Sequence, residues 1–137
     1  MSIHYLSHTA DIRMLICAKT LQDLFIEGVK GMNNILKESF CDPSNKIDVI
    51  EMIHINASDN TTLLINFLSD VLSSSCIEKV VYCKIEIIEF KAYQMIVKLL
   101  GTRINKFDEE IKAVTHHEAN VIKNNKGLWE TCIIFDI

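Results

Sequence analysis

Only two stretches of this chain carry apolar residues at helical spacing; its other apolar stretches run on or alternate as strands do. In the first, Leu21, Leu24, Phe25, Val29, Met32 and Leu36 share a face, while Gln22, Asp23, Glu27 and Lys30 fall off it. A helix is expected from about Leu21 to Lys37, with Thr20 and Asp23 as an approximate capping box. Gly28 and Gly31 each weaken it by roughly 1 kcal/mol against Ala; small residues there suit close approach to a sheet. The second pattern is Leu63, Leu64, Phe67, Leu68, Val71 and Leu72. It predicts a helix over about Thr61 to Ser73, with N-cap candidates in Ser58-Asp59-Asn60 and an end in Ser73-Ser74-Ser75.

The remainder reads as strands. Ile3 to Leu6 is short and extended, and Ile12 to Ala18 is apolar on both faces after Arg13. Lys46 to Ala57 alternates as a half-buried strand, following a turn at Cys41-Asp42-Pro43-Ser44-Asn45. Val80 to Phe90 and Tyr93 to Leu100 suggest a hairpin. Ile111 to Lys123 and Leu128 to Ile137 suggest another, joined by Asn124-Asn125-Lys126-Gly127. The order is ββαβα followed by four strands, about seven in all. Because strands and helices do not alternate, the expectation is α+β, with mostly antiparallel sheet packed on two helices. At 137 residues, one domain spanning 1–137 is expected.

Apolar residues make up 49% of the chain, which excludes a disordered protein. No apolar run is long enough to span a membrane, and the first residues do not read as a signal peptide. The five cysteines (Cys17, Cys41, Cys76, Cys83, Cys132) are odd in number, scattered and free of Cys-x-x-Cys. They read as small buried hydrophobes in a reducing, cytoplasmic setting, not as a disulfide framework. A net charge of −4 without a Lys/Arg cluster disfavours stand-alone nucleic-acid binding.

The chemistry concentrates at the end of the chain. An apolar run from Cys132 to Phe135 leads into Asp136 and the α-carboxylate of Ile137. Both are carboxylates and carry negative charge. Held close, they repel and need a cation, either a Lys/Arg or a metal. Lys112, at a strand start, is one candidate. Asp11, in His8-Thr9-Ala10-Asp11, either caps local backbone or ligates a metal, with His8 as ligand or orienter. His116 and His117 are adjacent on an expected strand, so they point to opposite faces, one buried and one exposed. Asp108-Glu109-Glu110 reads as a solvated loop. Phosphate-binding glycine loops, Gly-x-Ser-x-Gly and His-Glu-x-x-His are all missing from the sequence.

Three segments together resemble the archease family, small protein cofactors of the RtcB-type, GTP-dependent tRNA-splicing RNA ligase. They are His8-Thr9-Ala10-Asp11-Ile12; Leu63 to Leu72; and Ile111-Lys112-Ala113-Val114-Thr115-His116-His117 together with Ile134-Phe135-Asp136-Ile137. The match covers essentially the whole length. The resemblance implies an activator that is not itself an enzyme, promoting ligase guanylylation and multiple turnover, with tRNA met only through the ligase. It implies Asp11, Lys112 and Asp136 as the activating residues. It also implies a divalent cation on Asp11, Asp136 and the Ile137 carboxylate; oxygen ligands suit Ca²⁺, Mg²⁺ or Mn²⁺. The sequence departs from the family pattern at Arg13 and Thr102, where glycine and glutamate are usual, at His116, and at Phe67 and Ser69-Asp70 of the second helix. Two other readings are a free-standing metal-dependent hydrolase using Asp11 and Asp136, and a chaperone-like binding module.

Overall fold

The computed structural model of the chain describes residues 1–7 and 10–137. Among these the order is β1 (Ser2–Ser7), β2 (Asp11–Ala18), α1 (Leu21–Leu36), β3 (Val49–Asn56), α2 (Asn60–Glu78), β4 (Val80–Lys91), β5 (Gln94–Arg103), β6 (Ala113–Thr115), β7 (Ile122–Lys123) and β8 (Trp129–Asp136). The Thr20 hydroxyl accepts the Asp23 amide at the start of α1, and Asp59 accepts the Thr62 amide at the start of α2. Each cap satisfies one of the donors a helix N-terminus leaves over.

The strands form two antiparallel sheets, so the fold is α+β as expected. One has the order β1-β2-β8-β6, with β7 also paired to β8; the other has the order β3-β5-β4. Both helices pack against both sheets. The core lies between, with Met14, Ile16, Ile133 and Phe135 from the first sheet and Tyr82, Val97 and Leu99 from the second. Phe25 of α1 stacks on Phe67 of α2 at 5.9 Å and meets the edge of Phe90 at 5.2 Å. The two glycines of α1 answer different neighbours. A Cβ on Gly31 would stand 2.3 Å from Met14 Sδ, so that glycine brings the helix onto the first sheet. One on Gly28 would stand 3.3 Å from Leu68, so it serves the helix–helix contact instead.

Four expectations need correction. The second helix does not stop in the serine run but continues to Glu78, where Lys79 turns left-handed and its amide bonds to the Ser75 carbonyl. Ser75 and Leu72 are buried there, and packing overrides the weak helix preference of serine. The expected strand over 111–123 is two short strands, β6 and β7. Between them the chain turns at 116–119, with Glu118 at φ 61° and the Ala119 amide on the His116 carbonyl. His116 and His117 are therefore both exposed on a turn, not one in and one out. Finally, the cysteines are not mainly buried hydrophobes. Cys41 and Cys83 form a disulfide, their Cα atoms 5.4 Å apart across 42 residues of sequence, while Cys76 is exposed and Cys17 and Cys132 are half-buried. Scattered spacing gave no hint that the loop after α1 folds back onto β4.

The Asn124–Gly127 turn forms as expected. Gly127 takes φ 77°, and the Asn124 side chain accepts the amides of Lys126 and Leu128. This turn fixes where β8 begins, and so which of its residues face out.

A carboxylate rung as candidate metal site

Asp11 opens β2 and Asp136 closes β8. The antiparallel register sets them directly opposite one another, with Ala113 of β6 on the far side of Asp136. Directly paired residues project from the same face, with Cβ atoms about 4.5–5.5 Å apart. The next rung pairs Ile12 with Phe135, and Phe135 is fully buried in the core. Both carboxylates therefore stand on the outer face of the five-stranded sheet. A slip of one residue would turn Met14, Ile133 and Phe135 outward, so the hydrophobic core enforces the carboxylate pairing. The rung is also held by main chain: the Lys112 amide donates to the Asp136 carbonyl at 2.7 Å, and the Ile137 amide to the Ala10 carbonyl at 3.3 Å.

Two anions on one rung need a counter-charge. Asp11 Oδ1 is buried and has no hydrogen-bond partner among the described residues, a costly state for an ionised oxygen. Lys112 does not relieve it: its side chain is exposed and absent from the ion pairs of the described residues. A hard divalent cation fits the donor set, since both side chains offer oxygen only. Among the described residues no third His, Cys, Asp or Glu completes a cluster. Further donors would have to come from main chain, the Ile137 carboxylate or water. His8 lies outside the described residues.

Sequence reasoning overlooked the neighbouring rung. Arg13 pairs with Ile134 of β8, and Ile134 pairs with Thr115 of β6. Arg13 shares a strand face with Asp11, two residues away. Its Nη1 donates to Glu118, in the turn after β6, so the side chain spans β8. Ile134 beneath that span is only 4% exposed although it points away from the core. The Cys132 thiol, one residue pair further along β8, is pushed above its usual range by burial and then by Glu118, with Arg13 opposing. Arg13 Nε and Thr115 Oγ1 are both buried without a partner among the described residues. An arginine inside an otherwise apolar strand was the available signal.

Two antiparallel sheets around two helices, with a strand-end carboxylate rung on the outer face of the larger sheet, define a small α+β protein with an acidic oxygen-donor site. Residues 4–137 match the model of the Archease protein family (MTH1598/TM1083). The chain is 27% identical over 143 residues to protein archease of Methanosarcina barkeri, covering 97% of this chain and 94% of that one. It is 28% identical over 144 residues to protein archease of Pyrococcus abyssi, covering 98% and 96%. The solution structure of Methanobacterium thermoautotrophicum protein 1598 has the same fold, with a TM-score of 0.79 at 20% identity over 98% of each chain. So does a Thermotoga maritima protein described as an archease and "possible chaperone", with a TM-score of 0.69 at 17% identity over 96% of this chain and 94% of that one. The chain belongs to the archease family.

Proposed function

We propose that this protein is a non-catalytic activator of the RtcB-type, GTP-dependent tRNA-splicing RNA ligase, acting in the cytoplasm and meeting tRNA only through the ligase. The observation that carries the metal-handling part of this reading is the Asp11–Asp136 rung, with its orphaned Asp11 oxygen. In this reading Asp11, Asp136 and the Ile137 carboxylate hold one divalent cation, Ca²⁺, Mg²⁺ or Mn²⁺. Such a cation supplies positive charge against phosphoryl oxygens during guanylylation of the ligase. Asp11 and Asp136 keep the donors fixed by backbone pairing, so little reorganisation is needed at the moment of use. Exposed Lys112 offers a second positive charge from the same strand end. No helix among the described residues is long and apolar enough to cross a membrane.

The test is multiple-turnover RNA ligation by the cognate ligase. Adding the wild-type protein raises turnover, and Asp136→Ala abolishes the rise. Equal stimulation by both would overturn the metal-handling mechanism and favour a chaperone-like module. Release of phosphate by the isolated protein would favour a hydrolase.

A further inference from the structure

The smaller sheet has two edges, and they meet solvent differently. In the order β3-β5-β4, β3 and β4 each have one side unpaired. An open strand edge is a template for another strand, and proteins guard it with bulges, charges or proline. β4 is guarded: its register against β5 shifts twice, and it carries Lys84, Glu86, Glu89 and Lys91. β3 is not. It pairs with β5 in unbroken register from Val49 to Asn56 and contains no lysine, arginine or proline. Its one carboxylate, Glu51, is on the helix side, held by Ser74 and Tyr82. Outward it shows Ile50, 60% exposed, and Met52, 49% exposed, followed by exposed His54 and Asn56.

The main chain divides the same way. The Ala57 amide bonds to the Tyr93 carbonyl, continuing the β3–β5 ladder one step past Asn56. Bonded and unbonded residues alternate along an antiparallel ladder, so the odd-numbered residues of β3 bond to β5. The amides and carbonyls of Ile50, Met52, His54 and Asn56 face the open edge, and no main-chain group among the described residues meets them there.

We propose that β3 is a self-association edge, on which a second copy of this chain pairs antiparallel through its own β3 about a two-fold axis at Ile53. In that register Met52 meets His54 and Ile50 meets Asn56, so all four open residues exchange both main-chain bonds. Ile53 meets Ile53 on the helix side, and Glu51 stands opposite Ile55 instead of its own copy. Lys98 and Glu86, on the rung of Met52, lie back on β5 and β4 and pair with each other at 3.9 Å. An edge free of charge offers a charged segment of another protein nothing, whereas it complements itself. The product is one continuous sheet, β4-β5-β3-β3-β5-β4. The carboxylate rung stands on the other sheet, so both copies keep it open. One strand pair with its flanking side chains is a small interface, so the dimer is weak and depends on concentration.

The experiment is sedimentation equilibrium of the full chain over a wide concentration range, with Cys76→Ser throughout so that this exposed thiol cannot link copies. With β3 unchanged, the mass rises from one chain to two. Met52→Lys, which sets two ammonium groups beside the axis, and His54→Pro, which removes an open-edge N–H, each weaken association about tenfold or more. Ile88→Lys, comparably exposed on β4, leaves it unchanged. Circular dichroism confirms that each variant folds; should His54→Pro not fold, Met52→Lys and amide exchange decide. Hydrogen exchange in the concentrated protein slows at the amides of Ile50, Met52, His54 and Asn56. A mass of one chain at every concentration overturns the proposal. So does a dimer that Met52→Lys leaves intact, or fast exchange at those four amides in a dimeric sample. If the chain stays single and those amides slow only on adding the RNA ligase, the edge serves a different partner and self-association is refuted.

Discussion

Replacing Asp136 with Asn should make the cation-free protein more stable and the cation-loaded protein less so. Asp11 and Asp136 are directly paired across β2 and β8. At about 5–6 Å, two unit charges interact by roughly 0.7–0.8 kcal/mol in water and about 3 kcal/mol at an effective dielectric near 20. Asp136 is exposed and Asp11 half-buried, so the low end applies, about 1 kcal/mol. For a chain of this size that raises Tm by roughly 3–4 °C in chelator. Divalent cation reverses the order: at about a hundredfold excess over Kd, binding stabilises the wild type by roughly 2.7 kcal/mol, and the variant gains little. Scanning calorimetry of both proteins, with chelator and with Mn²⁺ or Ca²⁺, gives four melting temperatures that should cross. If Asp136→Asn melts lower than wild type in chelator and shifts equally with cation, the two carboxylates are not a repelling pair that a metal relieves.

Four substitutions test the packing and the cross-link through stability. Gly31→Ala places a Cβ against the buried Met14 sulfur and should lower stability by about 1–2 kcal/mol despite the helical gain, whereas Gly28→Ala, facing a Leu68 methyl that can give, should be neutral or stabilising by thermal melt. Cys83→Ser opens a loop of 42 residues and should cost up to about 4 kcal/mol, read by urea unfolding; an unchanged midpoint under non-reducing conditions would show that the bond does not form. Tyr82→Phe removes a hydroxyl bonded to Ser74 and Glu51 and should cost about 1 kcal/mol by the same measurement, with no loss of cation binding.

The helices and the α+β class were legible because periodicity reports local burial, and Leu24, Phe25, Leu64, Phe67 and Leu68 are fully buried. What periodicity could not report was pairing. The turn at 116–119 contains neither glycine nor proline, and only Glu118's left-handed backbone, tied to Arg13, ends β6. The Cys41–Cys83 bond depends on the loop after α1 meeting β4 and leaves no trace in spacing. Asp11 and Asp136 stand at opposite ends of the sequence. Their charges were visible one at a time, while their shared rung depends on the register of β2 against β8. Arg13 and Thr115 were hidden for the same reason, since their relation passes through Ile134.

The most direct measurement is the anomalous diffraction of a crystal of this protein soaked in Mn²⁺. The account predicts one strong peak on the outer face of the larger sheet, within about 2.0–2.4 Å of an oxygen of Asp11 and one of Asp136, the range of hard-cation bonds. A fully soaked crystal with no peak at that rung, or with manganese held elsewhere, would contradict it.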